Sequence, residues 1–95
     1  MSFKLLVRFN IKADQVASFV EIMQGAKDQI SKAQGCGGVE VLLSADNPGK
    51  VVLSEIWDTK EHHDQYAEKM RESGSFDKMA AFLVGPPESE FFIIK

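Results

Sequence analysis

The sequence predicts an α+β fold of the ferredoxin-like type, in which helices cover one face of an antiparallel sheet. Three observations support this prediction. Apolar residues alternate through residues 3–11, which is the pattern of a strand. Two longer stretches place apolar residues three and four positions apart, which is the pattern of a helix. Clusters of glycine, proline and asparagine separate these segments, and the resulting order is β-α-β-β-α-α-β.

The first half of the chain supplies a strand, a helix and a second strand. A strand is predicted at residues 3–11, and a helix from residue 13 to about residue 33, with Asp14 as its N-cap. Gly35, Gly37 and Gly38 end this helix and turn the chain. A second strand is then expected at residues 39–43.

The second half begins with a hairpin, because residues 45–50 have the composition of a turn. A strand at residues 51–57 follows, and then a helix capped by Asp58 or Thr59. The Ser-Gly-Ser sequence at residues 73–75 breaks this helix, and a short third helix is predicted up to Leu83. Gly-Pro-Pro at residues 85–87 stops it, and the last strand is expected at residues 91–95.

Length and composition limit the classes of function. Ninety-five residues are expected to form a single domain, residues 1–95. The net charge of −3 argues against a nucleic-acid-binding protein, which needs a basic face. Cys36 is the only cysteine, so no internal disulfide can form. We expect a cytoplasmic protein with no membrane partner, because the N-terminus lacks a signal-peptide pattern and no apolar run approaches the ~20 residues of a membrane span.

Alternation along the strands sorts their side chains onto two faces of the sheet. The face that the helices should cover is apolar throughout: Phe3, Leu5, Val7, Phe9, Val39, Val41, Leu43, Val51, Leu53, Phe91 and Ile93. The other face mixes apolar and polar side chains: Leu6, Leu42, Val52, Ile56, Phe92 and Ile94 among Lys4, Arg8, Glu40 and Ser54. An apolar area of this size is rarely left in water. We therefore expect a homodimer in which two copies pack through these open sheet faces.

One group of residues has the chemistry of a binding or catalytic site. His63, Tyr66, Ala67 and Met70 form the inward stripe of the second helix. Glu55 and Trp57 should point into the same space from the third strand, so a carboxylate, an indole, an imidazole and a phenol would line one pocket.

Two interpretations of this group stay open. In the functional one, His63 is a general base oriented by Glu55, Tyr66 and Trp57 are hydrogen-bond donors, and Met70 helps to bind the substrate. In the structural one, Glu55 pairs with His63 or Tyr66 only to satisfy its burial, and Trp57 belongs to the core.

Other candidate sites are weaker. His62 and His63 are adjacent and diverge by about 100° on a helix, so we expect no metal site. Cys36 has no neighbouring basic residue to activate it and is expected to be a packing residue. The glycines around it do not form a phosphate loop, because a strand follows them rather than a helix.

The chain resembles the antibiotic biosynthesis monooxygenase (ABM) family, and its quinol monooxygenases in particular. The resemblance rests on Gly35-Cys36-Gly37-Gly38 before a strand, Glu55-Ile56-Trp57 at the end of the next strand, a helix after it, and Gly85-Pro86 near the end. It covers nearly the whole chain. It implies a dimeric α+β barrel, built from two ferredoxin-like subunits packed sheet to sheet.

The resemblance also implies an activity. Many members are cofactor-independent monooxygenases that act on quinols, phenols or polycyclic aromatics with dioxygen. In such a site, His63 or Tyr66 would be base or donor, and Trp57 would pack against the substrate ring. The quinol-oxidising members often have histidines where this chain has Tyr66 and Ser75.

Three alternatives to a monooxygenase follow from related proteins and from the fold. Haem-degrading relatives use an asparagine in the first strand with a helix histidine; Asn10 lies near the strand's end and no matching histidine follows it. A protein that binds a small molecule in the same cavity without turnover, in a stress-related role for example, remains open. An RNA-binding module is disfavoured, because the chain is acidic and lacks the exposed aromatic and basic pattern of such sheets.

Overall fold

The structure is a computed structural model that describes residues 2–95. Its elements follow the predicted order: β1 (Phe3–Asn10), a 3-10 turn (Ala13–Gln15), α1 (Val16–Ser31), β2 (Cys36–Leu43), β3 (Lys50–Trp57), α2 (Lys60–Glu72), α3 (Ser75–Ala80) and β4 (Glu88–Ile93). The four strands form one antiparallel sheet in the order β2-β3-β1-β4. The predicted ferredoxin-like α+β fold is therefore confirmed.

The register of the sheet confirms the predicted division into two faces. Phe3 lies opposite Trp57 on β3 and opposite Ile93 on β4, and Leu5 lies opposite Glu55. Side chains on this face meet α1, whose buried residues are Phe19, Met23 and Ile30. Together they form the hydrophobic core: Leu5, Phe9, Ile11, Phe19, Met23, Ile30, Val39, Val51, Leu53 and Trp57.

Two boundaries differ from the sequence-based prediction, and at a third the structure decides between the two predicted caps. Asp14 is not the N-cap of α1, because it lies in the 3-10 turn and α1 begins after Gln15 without a side-chain cap. Thr59 caps α2, since its Oγ1 accepts a hydrogen bond from the His62 backbone N–H at 3.2 Å. The last strand begins at Glu88 rather than at residue 91, because polar residues there pair with β1 although they show no apolar alternation.

Gly35 joins the turn after α1 to the start of α2. Its φ of 85° lies in the left-handed region, and a Cβ there would collide with the His62 ring. Its carbonyl oxygen accepts a hydrogen bond from the Asp58 N–H at 2.8 Å. These contacts fix α2 at the end of β3, which sets the position of the side chains described next.

Candidate functional site

A cavity of about 700 Å³ lies between the sheet and the helices. α1 forms one side of it, and α2 and α3 form the other. Its lining is mostly apolar, with a few polar side chains. The apolar and glycine residues are Leu5, Val7, Phe9, Phe19, Ile22, Met23, Gly25, Ala26, Ile30, Leu53, Ala67, Met70, Phe76, Met79, Ala80, Phe82, Leu83 and Pro87; the others are Gln29, Glu55, His63, Tyr66, Arg71, Ser75, Lys78 and Ser89.

The inward stripe of α2 lines this cavity instead of packing against a solid core. His63, Tyr66, Ala67 and Met70 all face it, and none of the α2 residues is fully buried. The helix is otherwise polar, which explains why only this stripe faces the protein. The sequence therefore located one wall of the cavity correctly.

Glu55 is the buried polar group of the site. Only 4% of its surface is exposed, and its Oε1 accepts a hydrogen bond from the Trp57 indole Nε1 at 2.7 Å. Burial raises the pKa of Glu55 above its usual range, although the Trp57 hydrogen bond and the nearby His63 each lower it in part.

The hydrogen-bond partner of Glu55 corrects the sequence-based prediction. We expected Glu55 to orient His63 or to pair with His63 or Tyr66, but among residues 2–95 its carboxyl group bonds only to Trp57. The reason is local: residues two apart on a strand point to the same side, so the indole N–H reaches the carboxylate directly.

Trp57 lies behind the cavity wall. It is completely buried and does not line the cavity surface. Its ring lies 5.9 Å from the ring of Tyr66 and 5.6 Å from that of His63, centroid to centroid. The expectation that Trp57 packs against a substrate ring is therefore wrong; it lies behind the lining and supports the residues that form it.

His63 is held by aromatic rings and by its sequence neighbour. Its ring packs edge-on against Phe91, with centroids 5.0 Å apart, and against Trp57 on another side. Its Nδ1 lies 3.3 Å from Asp64 Oδ1, a carboxylate that is largely exposed. This arrangement leaves Nε2 without a hydrogen-bond partner in the described part of the chain.

Tyr66 is suited to donate a proton in a hydrogen bond rather than to act as a base. Burial raises the pKa of its phenol above the usual value, and the negative charges of Glu55 and Cys36 add to this shift. A phenol has a pKa of about 10 even without such a shift, so Tyr66 stays protonated at neutral pH.

Cys36 lies beside the site but has the character of a packing residue. Burial raises the pKa of its thiol, a backbone hydrogen bond with Gly38 lowers it in part, and the charges of Glu55 and Asp58 raise it further. A raised pKa makes the thiolate scarce, so Cys36 is a poor nucleophile. Within residues 2–95, no three side chains of His, Cys, Asp or Glu come close enough together to hold a metal ion.

Sequence reasoning missed the cavity residues of α1 and α3. Gly25 and Gln29 line the cavity from α1, and Phe76 and Lys78 line it from α3. The helical spacing of Phe76 and Met79 was a usable signal, because residues three apart lie on the same face of a helix. Nothing in the sequence indicated that α1 and α2 would stand apart with a cavity between them.

Comparison with known proteins agrees with this architecture. The sequence model of the antibiotic biosynthesis monooxygenase family matches residues 2–73. No protein of curated function matches the chain by sequence. None of the helices formed by residues 2–95 has the length and apolar composition needed to cross a membrane.

Solved structures share the fold along nearly the whole chain. A protein from Nitrosomonas europaea assigned to the same family has a TM-score of 0.87 and 22% identity, over 96% of this chain and 88% of its own. A conserved protein from Methanosarcina mazei has a TM-score of 0.89 and 18% identity, over 100% and 94%. A monooxygenase from Streptomyces coelicolor, from the gene ActVA-Orf6 and in complex with the ligand nanaomycin D, has a TM-score of 0.83 and 19% identity, over 99% and 88%.

Proposed function

This chain belongs to the antibiotic biosynthesis monooxygenase family, and we propose that it is a cofactor-independent monooxygenase acting on a quinol, a phenol or a polycyclic aromatic compound. One observation carries the proposal: His63, Tyr66 and the buried Glu55 meet in a mostly apolar cavity of about 700 Å³. A cavity of this size is within the range of small-molecule sites, and its apolar walls suit a fused-ring ligand.

The reaction needs no redox group of the protein, because the substrate supplies all the electrons. Deprotonation of a ring hydroxyl makes the ring electron-rich enough to transfer electrons to dioxygen. One oxygen atom then enters the ring as a carbonyl, and the other leaves as water. For a phenol with a free ring C–H, the sum is phenol plus dioxygen giving quinone plus water, so atoms and electrons balance.

The site residues have separate roles in this scheme. His63 is the base that takes the hydroxyl proton, because its Nε2 has no hydrogen-bond partner among residues 2–95 and can accept one from a ligand. Tyr66 donates a hydrogen bond to the oxyanion that forms. Met70 and the apolar walls hold the ring and exclude water.

The comparisons support a small-molecule ligand. The Streptomyces coelicolor monooxygenase of this fold binds nanaomycin D, so the architecture accommodates a ligand. Tyr66 and Ser75, the two positions at which the family resemblance implies histidine in many quinol-oxidising members, both line the cavity. A different set of side chains at these positions is consistent with a different substrate.

A homodimer completes this proposal. Leu42, Phe92 and Ile94 on the open sheet face are 44%, 39% and 46% exposed in the single chain. A second copy packed on this face would cover them and form the two-subunit barrel that the family resemblance implies. Because the cavity lies on the opposite face of the sheet, dimer formation would leave it free for the ligand and dioxygen.

A second candidate function is ligand binding without turnover. It is favoured by one observation: the histidine of the cavity is oriented by the largely exposed Asp64 rather than by a buried carboxylate. A weakly oriented base would allow binding but give slow chemistry. The experiment below separates the two functions.

The test is oxygen uptake by the purified protein with reduced naphthoquinols and polycyclic phenols, with no metal or flavin added. We expect uptake above the rate of autoxidation and at least ~100-fold slower uptake in His63→Ala, because general-base catalysis contributes about that much. Binding is followed in parallel by quenching of Trp57, the only tryptophan.

His62→Ala is the matched control. His62 is adjacent in sequence, but it packs against Gly35 and Thr59 and does not line the cavity. It should keep the uptake rate of the wild type. An active His63→Ala protein would exclude His63 as the base, and quenching without uptake in the wild type would favour the binding protein.

A further inference from the structure

Glu55 carries a carboxyl group that the scheme above does not use. We propose that Glu55 is the general acid of the site, which gives its proton to the terminal oxygen of the peroxide formed from dioxygen. The proposal rests on the proposed function. It concerns a second proton transfer, after the one assigned to His63.

The geometry gives Glu55 one free oxygen at the cavity. The Trp57 indole Nε1–H donates a hydrogen bond to Glu55 Oε1 at 2.7 Å, and Glu55 is among the residues that line the cavity. In the described residues no other donor or acceptor bonds to this carboxyl group. The indole therefore fixes the group at one oxygen, and Oε2 stays available to a bound molecule.

The surroundings favour the neutral, proton-carrying form of this acid. Its cross-strand neighbours are apolar: Leu5 on β1 and Val39 on β2. Met23 and Ile30 line the cavity from α1. Burial raises the pKa of Glu55, so the carboxyl group retains its proton to higher pH than an exposed one.

The charged neighbours link the two proton transfers. His63 and Tyr66 face Glu55 from α2, and Cys36 faces it from β2. Among them only His63 can become positive, and a positive His63 lowers the pKa of Glu55. When His63 has taken the substrate proton, its charge thus favours release of the Glu55 proton, which is the next step required.

The step balances with the groups present. The phenolate ring and dioxygen form a C–O bond and a terminal peroxide anion. Glu55 transfers its proton to that terminal oxygen, giving a hydroperoxide. The ring C–H then loses its proton to the Glu55 carboxylate, the C–H electron pair forms the C=O bond, and the O–O bond breaks. The departing hydroxide takes the proton held by His63, and water leaves.

The test compares Glu55→Gln with the wild type in the oxygen-uptake assay, using a reduced naphthoquinol. Because the acid acts after dioxygen has reacted, we expect kcat to fall about 100-fold or more while the Kd from Trp57 quenching stays within about twofold. In the pH–rate profile of the wild type, kcat should decrease at alkaline pH as Glu55 loses its proton. This alkaline limb should be absent in Glu55→Gln.

Trp57→Phe gives a second measurement if Glu55→Gln folds poorly. It removes the indole N–H that lowers the pKa of Glu55, so the alkaline limb should move to higher pH. An infrared difference spectrum between the wild type and Glu55→Gln should show a protonated carboxyl band that persists to higher pH than that of an exposed glutamate, whether or not a substrate is present.

The outcomes separate the two proposals. Uptake that is normal in Glu55→Gln, or a limb unmoved in Trp57→Phe, would overturn the acid role and leave the monooxygenase standing. If Glu55→Gln loses both ligand binding and oxygen uptake, Glu55 is a binding residue and not the acid. Absence of uptake in the wild type would overturn the proposed function and the acid role with it, even with a protonated carboxyl band.

Discussion

Trp57 connects the core of the protein to the chemistry of its cavity. The indole ring packs behind Tyr66 and His63, and its N–H bonds to the buried carboxyl group of Glu55. One side chain thus fills the core and holds three cavity residues in place. A change at Trp57 should therefore affect stability first and activity as a consequence.

Trp57→Ala should lower the free energy of unfolding by roughly 3–5 kcal/mol, because it leaves a large void in a fully buried position. Urea denaturation followed by circular dichroism measures this change, since the variant has no tryptophan to report by fluorescence. A loss well below 1 kcal/mol would mean that the indole is not a core group.

At this scale the sequence predicted which residues meet, but not how they bond. Helical spacing placed His63, Tyr66 and Met70 on one face, and all three line the cavity. The predicted hydrogen-bond partner of Glu55 was wrong, because residue spacing does not decide which of several nearby donors forms a hydrogen bond with a carboxylate. That choice depends on distances of a few tenths of an ångström, which only the packed structure defines.

Among the elements, α1 has a glycine where the fold does not require one. Gly25 lies inside the helix and lines the cavity, and a Cβ there would have no atom within 4 Å. Glycine inside a helix is about 1 kcal/mol less favourable than alanine. Because no neighbour approaches the backbone at Gly25, no close packing compensates for this loss of helix stability.

Gly25→Ala should raise the free energy of unfolding by up to about 1 kcal/mol, because alanine has the higher helix propensity and meets no neighbour. Chemical denaturation of the two proteins measures the difference. Gly35→Ala is the control in the opposite direction, since its positive φ and the His62 ring both oppose a Cβ. A destabilised Gly25→Ala protein would show that the helix needs the glycine.

The elements themselves could be predicted from the sequence, except at their ends. Alternation and helical spacing identified all four strands and the three helices. The start of β4 at Glu88 could not be predicted in this way, because its polar residues join the sheet through backbone hydrogen bonds to β1. Backbone pairing is independent of side-chain polarity, so an apolar pattern does not reveal it.

For the molecule as a whole, we predict a dimer through the open face of the sheet. Phe92→Lys should convert it to a monomer at micromolar concentration. Each of the two copies would bring one buried lysine into the interface, and residue 92 lies opposite Lys4 in the sheet, so like charges would also repel. Sedimentation velocity measures the state. Ala17→Lys, on the exposed side of α1, should remain dimeric; a monomeric wild type would exclude this assembly.

The cavity is the feature of the whole molecule that the sequence could not supply. Its lining residues on α2 were predicted, but those on α1 and α3 were not, because the space between α1 on one side and α2 with α3 on the other is set by tertiary packing. Local patterns indicate which side of a helix faces inward. They do not determine whether two inward sides touch or leave a space.

The alternation of β3 has a consequence for how this protein can change. Val51, Leu53, Glu55 and Trp57 face the cavity and core, whereas Val52, Ser54 and Ile56 face the other side of the sheet. Substitutions at the odd positions can therefore alter the proposed chemistry, and those at the even positions can alter the predicted dimer, with little interference between them. Deletion of a single residue within β3 would exchange the two sets, so this strand tolerates substitution far better than any change of length.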